Sequence, residues 1–154
     1  MTIGLVKLLE AGGLARLAGN AEAVGTAVEE MLRHQTGRSG EAMPRWTLTD
    51  VDLYGQHIPA GELVLARLEA ANHDPTRFPD PDRFDPSRVP NPHLSFGHGP
   101  HHCLGAALAR IELTAAVSAL AERIPTLTLA CCPEDIPWSG HPLDDGPAAL
   151  PVTW

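Results

Sequence analysis

Phe96-Gly97-His98-Gly99-Pro100-His101-His102-Cys103-Leu104-Gly105 is the stretch on which the reading of the fold turns. Its cysteine stands where a loop gives way to an Ala- and Leu-rich run free of proline, over residues 104–123, which reads as the best helix in the chain. A helix start presents free N–H groups and the positive end of the macrodipole, so it favours an anion. A thiol placed there is drawn toward the thiolate, the form that binds metal. Gly97, Gly99 and Gly105 remove side chains where the backbone must turn tightly or approach a flat ligand. Phe96 can shield the sulfur from water, which helps set the potential of a bound iron.

Two other readings stand beside this one. A lone cysteine next to a Gly-rich turn is usually a buried structural residue. His98, His101, His102 and Cys103 also crowd six positions, as zinc ligands can. Structural zinc sites, however, draw their ligands from two separated segments. Cys131 and Cys132 are adjacent and read as strand residues, so they supply no second half.

Working outward, residues 3–17 carry apolar side chains at helical spacing, with Leu5, Leu8 and Leu9 ahead of a stop at Gly12-Gly13. Asn20 is a suitable N-cap for a second helix reaching Arg33, with Val24, Val28, Met31 and Leu32 on one face. Residues 34–44 read as a polar loop. Alternation over 48–58, broken at Tyr54-Gly55-Gln56, predicts a β-hairpin, followed by a turn at 59–61, a strand within 62–68 and a short helix near 69–72. Residues 73–92 are too rich in proline for any regular element, but Phe78 and Phe84 give them something to bury, so an ordered meander is expected. In the long helix Leu104, Leu108, Ile111 and Ala115 form an apolar stripe, and residues 126–130 and 149–153 read as short strands.

The chain has 154 residues, 44% of them apolar, enough for a single modest core. Lys plus Arg number 11 against 19 Asp plus Glu, a formal charge of -8. That excludes the basic face a nucleic-acid or anionic-membrane partner requires. No signal peptide or bilayer-spanning run is visible, and the cysteines make no secreted disulfide framework. A cytoplasmic protein is expected.

The glycine–cysteine loop resembles that of the cytochrome P450 family, Phe-x-x-Gly-x-x-x-Cys-x-Gly, through Phe96, Gly99, Cys103 and Gly105. The family's Glu-x-x-Arg helix is matched by Glu30-Met31-Leu32-Arg33, and residues 58–62 and 72–88 are similar to those of bacterial members. The resemblance covers residues 21–154 and, weakly, 1–20. It implies one domain, mainly α with small β-sheets (α+β), corresponding to the C-terminal, proximal-haem portion of the cytochrome P450 fold. It implies haem b as cofactor and Cys103 as axial ligand of its iron, in a loop formed with Phe96, Gly97, Gly99 and Gly105.

The resemblance also implies a buried charge triad of Glu30, Arg33 and a meander arginine, Arg88 ahead of Arg83. His101 and Arg45 would hold haem propionates. The segment between Arg33 and Arg45 is more hydrophilic than in bacterial members, which makes Arg38 a fallback for Arg45. The family's distal helix, with its Ala/Gly-Gly-x-Asp/Glu-Thr pattern, finds no match, so no catalytic residue is identified. Three functions stay open: a shortened monooxygenase-type oxidoreductase, a haem-binding module without turnover, and an inactive remnant. The partners to expect are a redox protein and a second copy or chain over the distal face. Residues 3–17 are the candidate covering element, donated within the chain or exchanged between subunits.

Overall fold

The computed structural model describes residues 2–35, 44–140 and 146–154. Helix α1 (Thr2–Glu10) packs on α2 (Ala21–Gln35) through Leu8 and Leu9. Gly4 lets the two backbones approach, since a Cβ there would stand 2.8 Å from Met31 Cε. The chain leaves α1 through Gly12 and Gly13, at φ 110° and 75°, a conformation open to glycine at little steric cost. Leu14 and Leu17 then turn inward. Asn20 caps α2, its side-chain oxygen accepting the Ala23 N–H at 3.0 Å.

Val24, Ala27, Val28 and Met31, at the i, i+3, i+4, i+7 spacing of one helix face, form the middle of the core. Val117 and Ala121 of α4 (Ala106–Arg123) close it from the other side, with Leu127 beyond. Each such Leu, Val or Met contributes roughly 1.5–3 kcal/mol by leaving water.

Three expectations need correction here. The long helix starts at Ala106 with Gly105 at its N-cap, so Cys103 lies just ahead of it. Its buried face carries Ala106, Val117 and Ala121, while Leu104, Leu108 and Ile111 are exposed at 101%, 60% and 65%. In an Ala-rich helix two faces are narrow enough for close packing, and α2 took the other one. Within the chain, residues 3–17 do not cover the exposed stripe: Leu8, Leu14 and Leu17 belong to the core beside α2. Cys131 and Cys132 follow β5 (Thr128–Leu129) instead of lying in it, because Pro133 begins a 3-10 turn (Pro133–Asp135).

The small sheets are antiparallel ribbons. β1 (Pro44–Trp46) pairs with β4 (Leu63–Leu65), and this first strand was not anticipated. β2 (Val51–Leu53) pairs with β3 (Gln56–Ile58), starting later than expected. Their turn places Tyr54 and Gly55 at φ 50° and 82°, the doubly left-handed turn that suits twisted strands. β5 pairs with β6 (Val152–Thr153), and α3 spans Leu68–Asn72. Residues 73–92 hold no helix or strand and bury Phe78. No helix among the described residues is long and apolar enough to cross a membrane.

Candidate functional site

The loop before α4 is held by its own backbone. Cys103 N–H donates to the Phe96 carbonyl at 2.9 Å, and Gly97 N–H to that of Leu94 at 2.8 Å. His102 N–H closes the 3-10 turn Gly99–His101 onto the Gly99 carbonyl at 3.0 Å, and Ala106 N–H reaches the Cys103 carbonyl at 3.2 Å. Gly97 and Gly99 sit at φ 72° and 78°, with nothing within 4 Å of where a Cβ would be. One side of the loop is therefore open. Cys103 is exposed there, next to the fully exposed Leu104.

His98, His101 and His102 are exposed on the same loop. Among the described residues no three His, Cys, Asp or Glu side chains converge as a metal-holding group. Arg45 is exposed on β1, where its guanidinium donates to the Pro44 carbonyl at 3.1 Å. Arg38 lies outside the described residues. A cleft of about 240 Å³ lined by Lys7, Glu10, Ala11, His34, Asp82 and Phe84 lies between α1 and the meander, and none of its lining belongs to the cysteine loop.

Glu30, Arg33 and Arg88 meet. Arg33 Nε and Nη2 donate to the two Glu30 carboxylate oxygens, both at 2.8 Å, and Glu30 and Arg33 are 0% exposed. Arg88 Nε lies 3.2 Å from Glu30 Oε2. The Asp85 N–H at 2.9 Å and Asn91 Nδ2 at 3.1 Å complete the donors around that carboxylate. Burial alone would raise the Glu30 pKa, but Arg33, the Asp85 amide and Arg88 outweigh it, and the net shift is downward.

Arg33 spends its other hydrogen-bond capacity on carbonyls, those of Asn72 at 2.8 Å and Pro81 at 2.9 Å, and its cation faces the Phe78 ring at 5.2 Å. Arg83 enters through its carbonyl, which accepts from Arg88 Nη2 at 3.1 Å. Isolated charges this deep would be very costly, whereas hydrogen-bonded ones can persist.

Two features went unread in the sequence. Asn72 is fully buried: its Oδ1 accepts the Leu94 N–H at 2.7 Å and its Nδ2 donates to Ser95 Oγ at 3.0 Å. It ties α3 to the limb leading into the cysteine loop, and no motif signals it. Glu29, next to Glu30, accepts from Arg110 Nε at 2.7 Å and Nη2 at 2.9 Å and from His93 Nε2 at 3.0 Å. The His93 hydrogen bond is the largest influence on Glu29. With Arg110 it overcomes burial and holds the Glu29 pKa at about 2. The Arg110 guanidinium lies 4.8 Å from the centre of the Phe96 ring.

A protein-family model, Cytochrome P450, matches residues 22–136. The chain is 48% identical over 139 residues to mycinamicin IV hydroxylase/epoxidase of Micromonospora griseorubida, covering 90% of this chain and 35% of that protein. It is 45% identical over 141 residues to biflaviolin synthase of Streptomyces coelicolor, covering 92% and 35%. The solved structure of the mixed-function P450 MycG superposes with a TM-score of 0.87 at 44% identity, over 99% of this chain and 39% of that one. The chain thus spans 35% of the length of these curated relatives.

Proposed function

The chain belongs to the cytochrome P450 family, and from that premise we propose that residues 1–154 act as one haem-binding unit with Cys103 as the axial thiolate ligand of a b-type haem. The observation that carries this reading is the open side of the loop. Cys103 is exposed, its amide is tied back to Phe96, and nothing lies within 4 Å of where a Cβ would stand on Gly97 or Gly99. A flat, largely apolar macrocycle needs a soft axial donor on an unobstructed face, and these residues fit one.

Phe96, Gly97, Gly99 and Gly105 shape the loop that presents the sulfur. His101 and Arg45 are assigned to the haem carboxylates as hydrogen-bonding and cationic partners. Glu30, Arg33 and Arg88 hold the meander rigid. When bound, thiolate-ligated haem supplies electron density that favours O–O cleavage. The activity we assign is therefore monooxygenase-type oxidation of an organic substrate, with electrons delivered by a redox protein. A second copy or another chain would cover the exposed Leu104, Leu108 and Ile111.

The test is the visible spectrum of the protein loaded with haem, reduced and exposed to carbon monoxide. A thiolate-type spectrum is expected, and Cys103→Ala should abolish it. Persistence of that spectrum in the variant would overturn the ligand assignment.

A further inference from the structure

We propose that Arg110 and Glu29 are positioning residues for the cysteine loop, fixing the Phe96 ring and, through it, the setting of the Cys103 sulfur. This rests on the reading of Cys103 as the ligand. Phe96 and Cys103 are tied to each other, because the Phe96 carbonyl accepts the Cys103 amide at 2.9 Å. The Phe96 ring faces the guanidinium of Arg110, 4.8 Å away.

A half-exposed arginine would normally sample many rotamers and give a ring no fixed partner. Here the two-pronged pairing with Glu29, at 2.7 and 2.9 Å, holds the guanidinium plane. Glu29 is itself anchored. His93, whose side chain is 2% exposed, donates from Nε2 to Glu29 at 3.0 Å and accepts the Ser95 N–H on Nδ1 at 3.3 Å. His93, Ser95 and Phe96 belong to the limb entering the loop, and Arg110 to the helix leaving it. One carboxylate on α2 thus gathers both ends of the cysteine loop. The depressed pKa of Glu29, about 2, keeps it ionised near neutrality. The orientation of the ring decides how well it screens the sulfur from water, and that screening tunes a thiolate-bound iron.

The competing view is an ordinary ion pair that joins α4 to α2 and leaves the loop alone. Hydrogen exchange on the haem-free chain separates the two. Arg110→Leu should speed exchange of the Cys103 amide about tenfold, the equivalent of losing one net hydrogen bond, while the Ala121 amide at the far end of α4 keeps its rate. Glu29→Gln, which preserves shape and removes charge, should act in the same direction and serves if Arg110→Leu does not fold.

In haem-loaded protein both variants should lower the thiolate-type fraction of the reduced carbon monoxide spectrum and shift the midpoint potential. Arg110→Lys, which keeps the charge without the planar stack, should restore the spectrum only in part. If the wild type shows no thiolate-type spectrum, the ligand reading fails, and the exchange rates still decide whether the clamp governs the loop. Unchanged Cys103 exchange, spectrum and potential in both variants of a haem-binding wild type would overturn the proposal.

Discussion

Glu29 and Glu30 are neighbours on α2 and lead different lives. Glu30 is sealed among Arg33, Arg88, the Asp85 amide and Asn91, with 0% of its side chain exposed. Glu29 leaves 31% exposed and joins His93 and an Arg110 that is 38% exposed. Successive residues on a helix point about 100° apart, so one carboxylate faces the meander and the other the cysteine loop. The difference teaches how the same ion-pair chemistry serves two ends. In the dry site the pair cannot be broken cheaply, which suits a rigid base. In the wetter site it is weaker, which suits a loop that must orient a side chain.

The harshest break of that contrast is Glu30→Ala. It leaves the buried Arg33 without its carboxylate, and removing one partner of a buried pair typically costs about 3–5 kcal/mol. Urea unfolding should show a loss of that size or an unfolded chain. A midpoint near wild type would demote the network to a surface contact. Next in size is Asn72→Ala, which orphans the Leu94 N–H and should cost about 1–3 kcal/mol in the same assay.

On the wetter side the effects shrink. Glu29→Gln should cost no more than about 1 kcal/mol near neutrality, as exposed pairs do. Acid sharpens the point. The Glu29 pKa falls from 4.5 to about 2 on folding, so its stabilisation is complete above pH 4.5 and is lost as pH drops toward 2. Glu30 shifts in the same direction. Denaturant midpoints should therefore fall through that window in wild type and fall less steeply in Glu29→Gln. Parallel curves would remove Glu29 from the acid response. The smallest stability change belongs to Cys103→Ala. At an exposed site it should stay within about 0.5 kcal/mol of wild type, even as the thiolate-type spectrum disappears.

Much of this was legible along the chain because it depends on short-range rules. Asn20 can accept an amide only a few residues on, the α2 stripe follows the helical period, and Tyr54-Gly55 marks a tight turn. Family resemblance pointed to Glu30, Arg33 and Arg88 as one group, but the neighbouring Glu29 gave no hint of its own partners. The apolar stripe of α4 does not by itself say which side of the helix meets the core. Leu104, Leu108 and Ile111 look more apolar than Ala106, Val117 and Ala121, yet small residues permit the closer helix approach.

By itself, the sequence determined the glycine–cysteine loop, the helix that follows it and the family to which both point, since these rest on local sterics and on residue types at fixed spacing. Tertiary structure alone decided which face of α4 is buried, and that Asn72, Glu29 and Arg110 bind the cysteine loop to its base. Those choices join residues well separated along the chain, 22 positions for Leu94 with Asn72 and 81 for Arg110 with Glu29. Periodicity and local spacing do not encode such contacts. They exist only once helices and meander have packed and each buried donor must find the acceptor that packing has brought within reach.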